Sequence, residues 1–268
     1  MKKFRKLIPA LCMLLVSALF VGTSTYAWFS MNKEVTATNM SVTATADNPY
    51  LQIKLVSEAE TAYATTKAAD PASAENLKLT VPLNLKNNHV TYLTAEGEEA
   101  TNVVDATTAA SVTWGYATSN DPAASKNTDG ALKPTIITDA STGYYLKDEF
   151  NVRVVPNSAE GKNLKVKLTG TGTLSSITKG NNDIWETLRI LVIAEDGKYV
   201  VLKANATGNA LEIDKSSNDG VLVNSLPQVG TASKLTVYTY FDGTHEKAYT
   251  NLAKDLTTIN TSLVFTVD

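Results

Sequence analysis

His89 and His245 are the two residues of this chain best suited to hold a metal or move a proton, and they lie far apart in the sequence. Neither belongs to an HExxH or other paired-His spacing, the pattern that aims two imidazoles at one ion. His245-Glu246 stands alone after Asp242-Gly243. Asp242, Glu246 and Asp255 could gather around a cation, as could Asn181, Asn182 and Asp183. Neither set has the alternating acidic spacing of a calcium loop, and both read as solvated turns. Hydrolysis by a covalent route needs a nucleophile with a positioned base. The one cysteine, Cys12, lies in an apolar run near the start, there is no G-x-S-x-G, and no His falls beside a candidate Ser. Gly170, Gly172 and Gly180 belong to strand ends and turns rather than to a phosphate loop. These residues predict no enzyme, no metal and no cofactor.

Aromatic side chains offer a different chemistry. Trp114, Tyr116, Tyr144 and Tyr145 could serve as stacking platforms for sugar rings in a monomeric, secreted carbohydrate- or surface-binding module. That role requires flat, exposed rings, so burial of Trp114 and Trp185 would remove it. A pilin with Lys–Asn isopeptide bonds is a further reading, marked by a mass lower by one ammonia per bond. A type IV pilin is disfavoured, because its apolar segment is retained. Asn39, Asn205 and Asn260 begin N-x-Ser/Thr sequons. Behind a bacterial-looking signal they are expected to carry no glycan.

The start of the chain fixes where any of this happens. Lys2, Lys3, Arg5 and Lys6 precede an apolar run from Leu7 to Ser24, and Thr25 and Ala27 stand at −3 and −1 of a cut before Trp28. A basic start, an apolar run and small residues at the cut make a secretory signal peptide. The lipoprotein alternative fails, because Cys12 sits inside the run and Pro9-Ala10-Leu11 before it lacks the small residue such a cut needs. Residues 1–27 hold four of the 24 basic residues and no acid, so removing them leaves 20 basic against 27 acidic residues, a net charge of −7. The remaining 241 of the 268 residues contain no cysteine. A secreted chain without disulfides must draw its stability from a core, and this length can bury one large core or two small ones. The acidic balance argues against nucleic acid and anionic membrane surfaces. With no second apolar span and no LPxTG-like signal near TINTSLVFTVD, the mature protein is expected to be free or held by non-covalent contacts, touching the membrane only through its signal.

The elements behind the signal read as strands. Thr occurs 36 times, and Thr, Val and Tyr suit half-buried pleated surfaces. Leu51–Leu55, Leu77–Val81, Phe150–Val154 and Leu164–Leu168 alternate with period two, as in antiparallel sheets with one solvated face. Leu188–Ile193 is more continuously apolar and reads as a central strand, and Asp196-Gly197 predicts a two-residue hairpin turn into Lys198–Leu202. Leu235–Phe241 and Ser262–Val267 close the chain. About nine to eleven strands predict an all-β, antiparallel β-sandwich or jelly roll. Ile190, Val192, Val237 and Phe265 should lie inside. Ser57–Asn76, Thr118–Pro134 and Asn205–Gly220 read as long loop insertions, with short helices expected in the first and over Thr244–Lys254.

The stretch TYAWFSMNKEVTATNMSVTATA, from Thr25 to Ala46, joins the two halves of this reading. Val35 and Ala37 share one parity, whereas Met40, Val42, Ala44 and Ala46 share the other. The switch falls at Asn39, a residue common at bulges and turns. The residues thus divide into the signal (1–27), an N-terminal extended segment (28–39) and the β-sandwich domain (40–268). The extended segment has no evident partner in its own domain, and it begins with Trp28-Phe29, two side chains that need burial. The pattern TYAWFS at the cut, followed by MSVTA, resembles the TasA/camelysin group of bacterial surface and biofilm-matrix proteins. The motif maps onto Tyr26, Ala27, Trp28, Phe29 and Ser30, with Met31 where an acidic residue is usual and Glu34 a few positions on. The resemblance covers about Gly22–Ala46. It implies a dedicated signal peptidase, a jelly-roll fold and fibres in the matrix or at the surface of a Gram-positive-type bacterium. In such fibres the N-terminal strand of one copy completes the sheet of the next, and other matrix proteins can join. On this reading Trp28, Phe29, Val35 and Ala37 are the assembly residues. The logic is physical as well: an unpaired strand seeks backbone partners, and head-to-tail donation builds an open filament. Secreted material is expected to give Trp28 as its first residue on N-terminal sequencing; a product that retains residues 1–27 in the membrane fraction would contradict the signal reading.

Overall fold

A computed structural model describes residues 34–46, 51–69, 72–101, 104–117, 133–138, 143–154, 164–167, 183–226, 232–245, 248 and 260–267. Nineteen strands run through them. The first four are β1 (Glu34–Ala46), β2 (Leu51–Leu55), β3 (Thr66–Ala68) and β4 (Ala72–Lys78). Seven short ones follow: β5 (Thr80–Pro82), β6 (Asn84–Leu85), β7 (Asn88–His89), β8 (Tyr92–Leu93), β9 (Glu99–Ala100), β10 (Trp114–Ala117) and β11 (Pro134–Ile136). The rest are β12 (Leu146–Val154), β13 (Leu164–Lys167), β14 (Leu188–Ala194), β15 (Tyr199–Ala204), β16 (Leu211–Ser216), β17 (Val221–Val223), β18 (Ser233–Phe241) and β19 (Asn260–Val267). Helix is confined to short 3-10 turns among the described residues. The all-β expectation holds.

The strands form three layers. The outer sheet has the order β17-β13-β19-β1-β3, with β4 also on β1; the central sheet has the order β16-β15-β14-β18-β12-β2. One apolar cluster joins them: Val42, Ala44, Leu263 and Phe265 from the outer sheet meet Ile53, Phe150, Ile190, Val192 and Val237 from the central one. This is the sandwich core, and Ile190, Val192, Val237 and Phe265 are fully buried in it. A third, small sheet of order β5-β10-β11-β8-β9 and the β6–β7 hairpin lie against the opposite face of the central sheet. There Leu191, Ile193, Tyr199, Val201, Tyr238 and Tyr240 pack with Leu85, Ala106, Val112 and Trp114. The central strands are therefore apolar on both faces, which explains why every residue of β14 is buried. A strand covered on both sides loses its alternation.

Several local expectations are corrected. The Asp196-Gly197 turn is a three-residue loop rather than a two-residue one. Gly197 N–H donates to the Ala194 carbonyl at 3.1 Å, and Ala194 N–H donates to that of Lys198 at 2.8 Å. Gly197 has φ +79°, so the loop is a type I turn closed by a left-handed glycine. Ser57–Asn76 carries one 3-10 turn, Glu60–Ala62, and then β3 and β4. Its Ala-rich composition hides strands whose pairing comes from tertiary context. Asn205–Gly220, expected as a polar insertion, contains β16 at the edge of the central sheet. Leu77–Val81 is split at Leu79 between β4 and β5. Residues 118–132, and most of the helix expected over Thr244–Lys254, lie outside the described residues.

The largest correction concerns the partner of the N-terminal extended segment. β1 runs unbroken from Glu34 to Ala46. Its register on β4 slips between Val35 and Ala37 and again between Ala37 and Met40, so the parity switch marks an irregularity within one strand. The first half also has a partner in its own chain: Val35 pairs with Leu77 and Ala37 with Ala74. β3 and β4 follow one another along this edge, with Ala69 N–H donating to the Val42 carbonyl at 2.9 Å between them. The other edge of β1 pairs in parallel with β19, from Ser41–Asn260 to Ala46–Phe265.

One buried hydroxyl has no hydrogen-bond partner among the described residues, Thr239 Oγ1 on β18. Thr239 is 2% exposed. Replacing an unpaired buried hydroxyl by a methyl removes a desolvation cost of about 1 kcal/mol. Thr239→Val is expected to raise Tm by about 2–4 °C for a domain of this size, read by calorimetry; a lower Tm would show that the hydroxyl is paired.

Candidate functional site

The assembly residues divide between described and undescribed parts of the chain. Thr25, Ala27, Trp28 and Phe29 lie outside the described residues. Val35 and Ala37 sit in the first half of β1, on the backbone ladder to β4. Among the described residues, the opposite edge of Glu34–Met40 has no strand beside it, because β19 begins only at the level of Ser41. Among the described residues this edge is uncovered, and an uncovered edge presents backbone N–H and C=O groups, the usual template for pairing with another chain.

The aromatic candidates form part of a core. Trp114 is 2% exposed and Trp185 is 8% exposed. Trp114 packs on Tyr145 with ring centroids 4.6 Å apart and meets Tyr238 and Tyr240 edge-on at 5.3 Å each. Edge-to-face contacts of this kind add to the burial itself. Tyr116 and Tyr144, both partly exposed, lie 5.9 Å apart at the rim, where the Lys78 amine stands 5.2 Å over Tyr144. The buried tryptophans take away the stacking platform on which a sugar-binding reading depended.

The histidines are far apart in role. His89 belongs to the β6–β7 hairpin, where Nε2 lies 2.6 Å from Asp105 Oδ1 in a half-exposed pair. The backbone N–H of His245 donates to the Asp242 carbonyl at 3.3 Å, in the turn after β18. Among the described residues no group of three or more His, Cys, Asp or Glu is placed to share a metal. Asp242 accepts from the Thr244 N–H at 2.9 Å and from its hydroxyl at 2.6 Å. Glu246, Asp255, Asn181, Asn182, Gly170, Gly172 and Gly180 lie outside the described residues.

Two buried cations escaped the sequence reading. Arg189, 5% exposed at the start of β14, donates through Nη1 to the carbonyls of Glu186 at 2.6 Å and Leu188 at 2.9 Å. Its Nε lies 3.5 Å from Asp214 and 3.8 Å from Asp242. The arrangement ties β14, β16 and the end of β18 together, and losing one partner would strand a buried charge. Lys54 occupies the polar parity of β2 yet is only 6% exposed; its amine donates to the Glu58 carbonyl at 2.9 Å. A charged residue at the start of an otherwise apolar strand was the only sign of Arg189 in the sequence.

No protein family model matches this chain, and no curated protein matches it.

The electrostatics of the core set its alkaline limit. Burial pushes the Tyr238 hydroxyl up to about 12, with Tyr145 and Glu149 adding to the effect. The Tyr240 hydroxyl is raised well above its usual value, chiefly by burial, then by Asp242, with Arg189 opposing. A raised folded pKa on an acid means the neutral form is favoured in the fold. That stability is complete below pH 10, the ordinary tyrosine value, and drains away as pH climbs toward 12. Circular dichroism is expected to hold constant to about pH 10 and to collapse above it together with a burst of tyrosinate absorbance; smooth titration of all tyrosines near pH 10 with the fold intact would refute the buried cluster.

Proposed function

We propose that this chain is a secreted structural subunit of extracellular fibres, in a biofilm matrix or at a cell surface, joined head to tail through its N-terminal segment. The observation that carries the reading is the passage from an export signal directly into Trp28-Phe29 and then into β1. The open edge of Glu34–Met40 supports it. So does the slip in register between Ala37 and Met40, a place where the strand can change course without breaking its second half.

The pairing of β1 with β4 inside one chain is compatible with exchange between chains. If the first half of β1 leaves its own β4 and docks on that of a neighbour, the same backbone hydrogen bonds form again. Exchange then costs little, and what tips the balance is apolar burial. Trp28 and Phe29, each contributing about 1.5–3 kcal/mol when removed from water, supply it in the acceptor subunit. A heterologous contact of this kind repeats without closing unless geometry bends it into a ring.

A chain beginning at Trp28 is expected to form filaments visible by electron microscopy. A chain beginning at Asn39 should fold but stay monomeric, and Trp28→Ala combined with Phe29→Ala should move assembly to much higher concentration. Identical filaments from the chain beginning at Asn39 would remove the N-terminal segment as connector. A chain beginning at Trp28 that stays monomeric at high concentration would remove the fibre.

A further inference from the structure

The third layer covers only part of the central sheet. It lies over β14, β15 and the far half of β18, and stops short of β12. A cleft of about 360 Å³ opens where it ends, with strands β12 and β18 as its floor, Thr108–Ala110 as one wall and the β14–β15 turn as the other. Two lysines enter it from different strands. Lys147 Nζ lies 2.9 Å, and Lys234 Nζ 2.7 Å, from the same oxygen of Glu149, Oε1. The lysine side chains remain 44% and 34% exposed, so both amines can be reached from solvent. Among the described residues no aromatic ring lines the cleft.

We infer that this cleft binds a carboxylate-bearing sugar, a uronate, between Lys147 and Lys234. The argument is one of charge and valence. Two ammonium groups converge on a single carboxylate, which leaves the trio with one positive charge. Each ammonium has three N–H donors and spends one on Glu149. A second carboxylate placed between the amines takes up free donors in charge-assisted hydrogen bonds and brings the trio to neutrality. The pair already holds one carboxylate, and the Glu149 carboxyl is lowered from its ordinary value, first by the Lys234 hydrogen bond. Glu195 and Thr108 also line the cleft, and their oxygens can accept from sugar hydroxyls. With Glu195 included, the lining carries two lysines and two glutamates and is neutral as a whole; it disfavours a polyanion such as nucleic acid and suits a ligand with one negative charge, seated at the lysines. The absence of a ring in the lining disfavours a neutral sugar held by stacking. The cleft volume is at the small end of ligand sites, right for one or two sugar units.

The inference does not rest on fibre assembly, and it is tested on the chain beginning at Trp28 in either state. Glucuronate and glucose are titrated by calorimetry or by NMR shifts at low salt. Glucuronate is expected to bind and glucose not to. Lys147→Gln with Lys234→Gln should weaken glucuronate binding by about tenfold or more, and Lys147→Gln alone keeps the test open if the double variant loses its fold. Glu149→Gln should bind glucuronate more tightly, since it raises the local charge by one. Opposite signs from the lysine and glutamate variants are the signature of the site. Equal binding of glucose, no binding of glucuronate at millimolar concentration, or weaker binding by Glu149→Gln would overturn it.

Discussion

The structure depends on one constraint: the middle strands of the central sheet must be dry on both faces. β14 and β18 present Ile190, Val192 and Val237 to the sandwich core, and Leu191, Ile193, Tyr238 and Tyr240 to the second core. An antiparallel sheet of this kind commonly leaves one face to water. Here the opposite face of its middle strands carries large apolar side chains, so a sandwich alone would leave them exposed. The short strands β5 to β11 can be understood as the cover that this face requires. They are too small to be stable alone; their order comes from Trp114 and Leu85 docking on the tyrosines. The close approach is tight enough that a Cβ on Gly197 would stand 2.7 Å from the Ala106 carbonyl oxygen.

A sheet buried this way must also account for its polar groups. Arg189 lies next to the fully buried Tyr240 hydroxyl, with Asp214 and Asp242 beside it. The charge is compensated inside the fold by carboxylates and by two backbone carbonyls. At the margin, where the cover ends, the same face turns to Lys147, Glu149 and Lys234. The change from tyrosines to lysines along β18 traces the limit of the third layer: Tyr238 lies under it, with its hydroxyl donating to the Ala109 carbonyl at 3.1 Å, while Lys234 reaches past it.

Much of this was legible in the sequence, for reasons that differ by element. β12 showed itself by alternation and β14 by an unbroken apolar run, because burial on one face or on two writes directly into residue type. The hairpin after β14 was legible in position but not in length, since Asp-Gly serves both the two-residue and the three-residue loop. β4 and β16 were not legible. Ala72–Lys78 and Leu211–Ser216 lack a strong pattern, and each is a strand only because a neighbouring edge, of β1 or of β15, supplies its hydrogen bonds. The aromatic candidates do lie near one another, but composition can announce a cluster of rings, whereas only the third layer decides that Trp114 faces inward while Tyr116 and Tyr144 stay partly exposed at the rim. The lysine pair could not be found in sequence, since Lys147 and Lys234 are brought together by the register of β12 on β18, where Asn151 pairs with Lys234 and Glu149 with Thr236.

The parallel pairing of β1 with β19 has a consequence for the order of events in folding. The first described strand and the last lie side by side, so that ladder closes a loop of almost the whole chain, at a correspondingly high entropic cost before any contact rewards it. A polypeptide emerging from its N-terminus first can lay β1 against β3 and β4 early, but the second edge of β1 waits for the eight-residue β19. Throughout synthesis the outer sheet is therefore half-finished along its longest strand. β19, far from β1 in sequence, acts as the fastener of the outer sheet.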